Sequence, residues 1–502
     1  MTAEVAARDH LTDLIELECD SSIDEFATVR ARAIELRFLA ATAGDDEAVR
    51  RCDMLIADVL LREGQLGAGG HSAHQTLAWA EQHGQPYVRA RAHRVLANFY
   101  RLLGDFTEAL THALQGVSFL PADAPPAVRA RHLVMLGCTL DDNGSFDEGE
   151  LRYREVLRIA GELGDDGLTL RALNNMTYNA YEAGDEPAAR ALAGRMWEVA
   201  RRGRPLAAKE LDTIARVAMM AGRYDELEAA LAGALDGTIL DTDGDGAAEC
   251  LLTLAEARRE SGRPAAAQAA LDGAVALCER NTLTRVRVQV QREQAALYAA
   301  MGRYQDAYEE LLRFNAGQAT LQSTQREARA LAMQAIYEAN EFREMAQRDA
   351  LTGIYNRRYI NEQLPALLRR GEPLAVAILD LDHFKQINDT LSHATGDAVL
   401  QQLGRLLPDG TAGPAVAARL GGEEFLLIMP GLDAAAATLY CERLRRQIRD
   451  FPWSPITASL PVTTSIGVAT TADGTTTVAA LLADADRNLY AAKRAGRDRV
   501  VA

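Results

Sequence analysis

Lysine is nearly missing from this sequence: only Lys209, Lys385 and Lys493 stand among 54 basic residues. A chain that otherwise uses Arg for its cations, yet keeps two Lys in its last third, has a use for a compact ammonium there. Aromatic residues are also scarce, at 6%, while Ala, Leu and Arg abound, which favours helix over a β-sandwich or barrel. No apolar run approaches the ~20 residues of a membrane helix. The N-terminus, Met1 to His10, carries charges where a secretory signal would have its apolar core. The six cysteines, at 19, 52, 138, 250, 278 and 441, form no CxxC pair. Neither a disulfide framework nor a zinc site is indicated, and buried thiols in a reducing cytoplasm are expected.

A length of 502 residues suggests about three domains, and a hydrophobic share of 48% excludes a largely disordered chain. The net charge of −17 is uneven: residues 1–348 carry −16 and residues 349–502 carry −1. An acidic first part argues against a nucleic-acid platform, because phosphate contacts need clustered positive charge.

Residues 1–310 contain an internal repeat. Gly64, Gly104, Gly144, Gly184, Gly222, Gly262 and Gly302 recur at spacings of 40, 40, 40, 38, 40 and 40. Helical periodicity runs into each glycine and restarts after it, as in Ala92-Leu96-Tyr100-Leu103 and then Phe106-Ala109-Leu110-Ala113. Each unit therefore reads as helix, tight turn, helix, and such pairs bury their apolar stripes by stacking into a solenoid. Five residues after the turn stand Ala109, Gly149, Ala189, Leu227, Ala267 and Ala307, mostly small, as close helix packing requires. Phe106, Phe146, Tyr224 and Tyr304 stand two residues after theirs. The pattern resembles the tetratricopeptide repeat, most clearly in Gly104–Ala109 and Gly302–Ala307, although about 40 residues replaces the usual 34.

Asp241-Thr-Asp243-Gly-Asp245-Gly246 copies the first half of a calcium loop, but Leu252 holds the twelfth position, where a bidentate Glu belongs. An acidic turn capping the next helix is the better reading. His71 and His74 lie in a Gly/Ser/His stretch without carboxylates and read as loop residues. From Tyr304 to Arg348 the sequence stays helix-compatible, with a 3-4 spacing through Thr324, Ala328, Leu331, Ala335, Glu338, Phe342 and Met345. It suits either a signalling helix joining two domains or a helix packed on the last repeat.

After Asp349 the texture alternates. Leu374–Leu379 is a short apolar run suited to a buried strand, ending in Asp380-Leu381-Asp382, so two carboxylates emerge on one face. A helix follows through 396–407. Ala415–Leu420 and Phe425–Met429 are strand-like runs around Gly421-Gly422-Glu423-Glu424, a tight hairpin of primed-turn type. A helix over 434–448, a strand over 462–470, a helix over 478–494 and a short strand over 499–502 complete an α/β unit. Carboxylates at strand ends, far apart in sequence, suit a site for two magnesium ions that clamp the oxygens of a phosphoryl transfer. Lys493 and Arg497, spaced i, i+4, form a clamp for a polyphosphate tail, and Lys385 lies just beyond the acidic strand end.

Asp349-Ala-Leu-Thr-Gly-Ile-Tyr-Asn-Arg-Arg358, LDLDHFKQINDTLSHATGDAVL (379–400), RLGGEEF (419–425), TSIGVA (464–469) and ADRNLYAAKRAGR (485–497) together resemble the diguanylate cyclase family, named for its GGDEF or GGEEF signature. The resemblance implies domains at 1–310 (repeats), 311–348 (helical linker) and 349–502 (catalysis). The fold expected is an all-α tetratricopeptide-like solenoid, then an α/β (α+β) GGDEF domain whose central sheet is like a nucleotide-cyclase or polymerase palm. It further implies that Asp380, Glu423 and Glu424 are the catalytic carboxylates. Asp380, Glu423 and the backbone carbonyl of Leu381 would hold two Mg2+ per site, with Mn2+ as a substitute. GTP would meet Gly421 and Gly422 at the turn, Asn388 and Asp397 at the guanine edge, and Phe384, Lys385, Lys493 and Arg497 at the phosphates. The family condenses two GTP into cyclic di-GMP and two pyrophosphates, each 3′-hydroxyl attacking the partner's α-phosphate, so a homodimer through catalytic domains and linker helix is implied. The repeats would bind an unknown protein or ligand as a sensory region, with no nucleic acid and no membrane segment.

Three departures stand out. Ser392 replaces Gly before His393, and Leu420 replaces an aromatic before the GG turn. The family's product-inhibition motif, RxxD, would fall on Ala412–Ala415, which reads Ala-Gly-Pro-Ala. Weak product inhibition is therefore expected. The alternative to an active cyclase is a catalytically silent scaffold, responsive to GTP or cyclic di-GMP and acting through its repeats. Retention of every signature acid favours activity.

Overall fold

The structure, a computed structural model, describes residues 3–19, 26–242, 244–407, 415–471 and 477–502. The chain forms two compact units, Met1–Ala339 and Asn340–Ala502. Among the described residues no helix is long and apolar enough to cross a membrane.

Among the described residues the first unit is built of helices alone. After α1 (Ala3–Cys19) and α2 (Phe26–Ala43), helices pair across the repeat glycines: α3 (Asp46–Arg62) with α4 (Leu66–His83), α5 (Pro86–Leu102) with α6 (Phe106–Ser118), and α7 (Pro126–Asp142) with α8 (Phe146–Leu163). The series continues through α9 (Asp166–Glu182) and α10 (Glu186–Ala200), α11 (Ala208–Met220) and α12 (Tyr224–Asp236), and α13 (Gly246–Glu260) and α14 (Pro264–Arg280). It ends with α15 (Thr284–Ala300) and α16 (Tyr304–Gln347). The Gly104 turn shows why the sequence takes this form. Gly104 adopts φ 75°, which a side chain resists, and the Asp105 N–H closes the turn on Tyr100 O at 2.9 Å. The Asp105 carboxylate then caps α6 by accepting from Glu108 N. Ala109, Ala189, Leu227, Ala267 and Ala307 are all buried, as the spacing argument expected. At Gly149 a Cβ would meet Asp141 Oδ1 at 2.2 Å.

Two expectations need correction. His71 and His74 are not in a loop; both lie within α4. The glycines that suggested a loop serve packing: a Cβ at Gly69 would meet Leu61 at 2.7 Å, and one at Gly70 would meet Phe99 at 2.5 Å. His74 is buried beside the Tyr100 hydroxyl, and burial pushes its imidazole down to about 4. The second correction concerns the seam of α16. Ala328 and Ala335 are buried, but Thr324, Leu331 and Met345 are exposed, and the side chains of Glu338 and Phe342 lie outside the described residues. The face in use is Ala328, Ala332 and Ala335, at 3%, 2% and 1% exposure. Ala328 and Ala332 join the core of Met54, Leu61, Phe99 and Tyr100. Gln325 donates to Leu102 O at 3.0 Å, and Arg329 pairs with Asp105. The second helix of the last hairpin thus packs on α3–α4 and α5–α6, the first hairpins with a repeat glycine. Asp241 behaves as expected of a cap: its carboxylate accepts from the N–H groups of Gly244, Gly246 and Ala247 at 2.9–3.2 Å.

The second unit alternates. It runs β1 (Tyr355–Asn356), α17 (Arg357–Arg369), β2 (Leu374–Leu381), α18 (Phe384–Thr390), α19 (His393–Leu406), β3 (Val416–Gly421) and β4 (Glu424–Pro430). It continues with α20 (Ala434–Asp450), α21 (Ser454–Thr457), β5 (Thr464–Thr470), α22 (Val478–Arg494) and β6 (Val500–Val501). The mixed sheet has the order β1-β3-β4-β2-β5-β6, with β2 antiparallel to both β4 and β5. All eight residues of β2 are buried, and the first six, Leu374–Leu379, read as a continuous apolar run. Ala375, Ala377, Leu379 and Leu381 face one core with α19 and α20; Leu374, Val376 and Ile378 face another with α17 and α22.

Gly467 in β5 sets how closely α22 approaches the sheet. A Cβ there would lie 2.1 Å from Leu489 N and 2.2 Å from Ala485 O, both backbone atoms of α22. Asn488 pins the same helix by donating to Val468 O at 2.7 Å. Because backbone cannot rotate aside, Gly467→Ala should cost at least the ~1–3 kcal/mol of ordinary overpacking. Thermal unfolding of the second unit should fall by roughly 5 °C or more. An unchanged transition would show that α22 is not seated this way.

Candidate functional site

Three elements converge at the end of β2. Asp380 is the penultimate residue of that strand, 6% exposed, and pairs in register with Glu424 of β4 and Ser465 of β5. Glu423 sits in the β3–β4 turn, and its carbonyl accepts from Leu381 N at 3.4 Å. Lys493, from the last turn of α22, places Nζ 2.8 Å from Asp380 Oδ2. Burial raises the Asp380 pKa, opposed by Lys493 and Arg497. Burial likewise raises that of Glu423, with the Asp380 charge adding to it. Two hard-oxygen carboxylates that resist ionising together beside one ammonium suit a divalent cation as further counter-charge.

The hairpin turn is tight, as expected, but its two central residues are Gly422 and Glu423. Gly422 has φ 54°, whereas Gly421 ends β3 and pairs with Glu424. The register shifts between Arg419 and Gly421, so Leu420 is the extra residue of a bulge and no aromatic is demanded there. Glu424 is exposed at the start of β4.

Asn388 and Asp397 arrive on separate helices, α18 and α19. Asn388 lies against Gly396, the residue before Asp397: a Cβ there would lie 1.9 Å from Asn388 Oδ1. Asp397 is exposed on α19, one residue beyond its first turn. Ser392 caps that helix, its hydroxyl accepting from Thr395 N at 3.1 Å, a contact that the usual Gly cannot make. The region expected to be a phosphate loop is α18, where Phe384 is buried in the core and Lys385 is exposed. Arg497 does not share a helical face with Lys493. α22 ends at Arg494, and Arg497 follows beyond Gly496 with φ 63°. Ala412, Gly413 and Pro414 of the degenerate inhibition motif lie outside the described residues.

Sequence reasoning missed several residues that build the site. Arg419 donates twice to Gly422 O, at 2.7 and 3.0 Å, and once to Asp349 Oδ1 at 3.0 Å. Asp349 also accepts from the N–H and hydroxyl of Thr352, and Asn356 donates to the carbonyls of Ala346 and Arg348. Polar contacts therefore run from the last turn of α16 to the hairpin that carries Glu423. Burial alone would raise the Asp349 pKa, but its partners Thr352 and Arg419 hold it low. An Arg two residues before the glycine pair was the available signal.

Residues 346–499 match the family model "Diguanylate cyclase, GGDEF domain", and this segment belongs to that family. The response regulator PleD of Caulobacter vibrioides is 41% identical over 164 residues, 32% of this chain and 36% of PleD. The diguanylate cyclase DgcP of Pseudomonas aeruginosa is 39% identical over 162 residues, 32% of this chain and 24% of DgcP. The chain thus spans about a third or less of the length of these curated relatives. The crystal structure of the coiled coil and GGDEF domain of DgcB from Caulobacter crescentus, in complex with c-di-GMP, is 30% identical. It matches over 36% of this chain and 98% of that one, with a TM-score of 0.33.

Two outcomes follow from this geometry. An alanine at Gly396 must displace the Asn388 amide oxygen, so, in the guanine-binding role that the family resemblance implies for Asn388, Gly396→Ala should weaken GTP binding by about 10-fold with the fold intact. Unchanged affinity by titration calorimetry would separate Asn388 from base recognition. Raised carboxyl pKa values mean that Asp380 and Glu423 take up protons at higher pH than free carboxylates do. Acidification should therefore weaken the binding of a divalent cation held by these carboxylates sooner than it would with unperturbed carboxylates. Affinity that stays flat until the usual carboxylate range would contradict the pairing.

Proposed function

We propose that the chain is a diguanylate cyclase that condenses two GTP into cyclic di-GMP and two pyrophosphates. The observation that carries this reading is the convergence of Asp380, Glu423 and Lys493 within a segment of the GGDEF family. Asp380, Glu423 and the Leu381 carbonyl would hold Mg2+, two ions per site, with Mn2+ as a substitute. When bound, the metal neutralises phosphate charge and polarises the α-phosphate. The protein's own groups do the rest. Lys493 already lies against Asp380 and has donors to spare for a polyphosphate. Lys385 and Arg497 add charge at the rim. Gly421 and Gly422 keep side chains out of the approach. Asp397 accepts from guanine N1–H and N2–H, while Asn388 completes the base contact. Glu424 extends the acidic edge. Each 3′-hydroxyl oxygen forms a bond to the partner's α-phosphorus as the bond to pyrophosphate breaks, so two copies must face each other in a homodimer.

We further read the first unit as a tetratricopeptide-like sensory region, acting in the cytoplasm where GTP is present. A ligand or partner protein on the hairpins would bias α16, among the described residues the one helix that runs from the first unit into the second. The absence of RxxD at 412–415 supports weak product inhibition.

The full chain incubated with GTP and Mg2+ should yield one cyclic di-GMP per two pyrophosphates by mass spectrometry, and little product from ATP. Asp380→Asn and Glu423→Gln should each lower turnover by about 100-fold or more without loss of helicity. GTP binding without product would identify a silent scaffold, and normal turnover by either variant would overturn the metal assignment.

A further inference from the structure

Asp380 and Asp382 leave β2 on one face, two residues apart, yet they meet different partners. Asp382 is 3% exposed, and three donors already occupy its carboxylate. Oδ1 accepts from Ser465 Oγ at 2.7 Å, while Oδ2 accepts from Thr463 Oγ1 at 2.8 Å and from Asp498 N at 3.1 Å. The last of these bonds reaches an unusual segment. Arg497 and Asp498 are consecutive non-glycine residues at φ 63° and 41°, a conformation that L-residues resist. Further bonds hold the segment in place. Arg497 N donates to Ala492 O at 3.1 Å, Ile466 N donates to Arg499 O at 3.0 Å, and the Asp498 carboxylate pairs with Arg445. Asp382 alone among these anchors directly follows the strand that carries Asp380, one residue beyond its last residue, Leu381. The Arg497 side chain itself is exposed, so its aim is set by the backbone beneath it.

We propose that Asp382 is a positioning residue that holds the left-handed turn at Arg497–Asp498, and so fixes Arg497 where it grips the substrate's terminal phosphates. This rests on the reading of the site as a GTP site. A phosphate grip made in both ground and transition states contributes to KM and leaves kcat largely alone. A metal ligand would do the reverse.

The test is a double-mutant cycle in the full chain, read by GTP turnover and by binding of a non-hydrolysable GTP analogue. Asp382→Ala and Arg497→Ala should each raise KM and the analogue Kd by about 10-fold, with kcat within about 3-fold. The double variant should be no weaker than Arg497→Ala alone, because Asp382 acts through Arg497. Asp382→Asn should recover most of the affinity: its amide oxygen can accept from Asp498 N–H, and its amide nitrogen can donate to a reoriented hydroxyl. If Asp382→Ala does not fold, Ser465→Ala removes one donor at nearly constant volume and should weaken analogue binding by about 3-fold. Additive losses in the double variant, unchanged analogue affinity, or a collapse of kcat with affinity intact would overturn the proposal. So would a wild-type chain that does not bind the analogue. A chain that binds the analogue with the expected pattern but makes no cyclic product would retain this inference and defeat only the cyclase reading.

Discussion

A carboxylate nine-tenths buried near the end of a fully buried strand is the constraint on which the second unit is organised. Asp380 cannot leave the protein interior, because β2 is hydrogen-bonded on both sides and packed on both faces. Its charge must therefore be met where it is. One answer is the Lys493 ammonium, and delivering it requires α22 to lie directly on β5. Gly467 permits that approach and Asn488 secures it. Scarcity of lysine thus has a local meaning. Arg would bring a broad planar fork to a gap that a single compact nitrogen fills at 2.8 Å. The other answer is substrate-linked. Burial raises both carboxyl pKa values, with the Asp380 charge adding to that at Glu423, and a divalent cation would offset that cost.

Much of this was legible in the sequence because the governing signals are local. The apolar run ending in Asp380 and the glycine pair before Glu423 are short-range patterns with few structural interpretations. The repeat glycines repeat a turn that only left-handed backbone closes. What escaped was decided by partners distant in sequence. Spacing by two puts Asp380 and Asp382 on one face, but only the tertiary fold gives one an ammonium and the other two hydroxyls and an amide. Spacing by four aligned Lys493 with Arg497 only on the premise that the helix continued through Gly496, whose φ of 113° ends it. Gly69 and Gly70 read as loop signals because glycine's local preference is visible, whereas the rings and methyls pressed against it are not.

The long helix α16 shows the same interplay on a larger scale. A 3-4 pattern weak in large apolar residues is a poor seam for pairing with a copy of itself, and a good one for lying close against a surface that is already shaped. Ala328 and Ala332 allow that approach, while Leu331 stays largely exposed with only its tip against Gly67. Burying three alanine methyls contributes on the order of 2 kcal/mol, and the exposed Arg329–Asp105 pair adds at most ~1 kcal/mol. A contact of that size is populated but reversible: a differential affinity of a few tens-fold is enough to offset it. At its other end the same helix runs into Asp349 and Asn356, and through Arg419 into the carbonyl of Gly422. A weakly held helix face and a tightly bonded helix end are complementary properties.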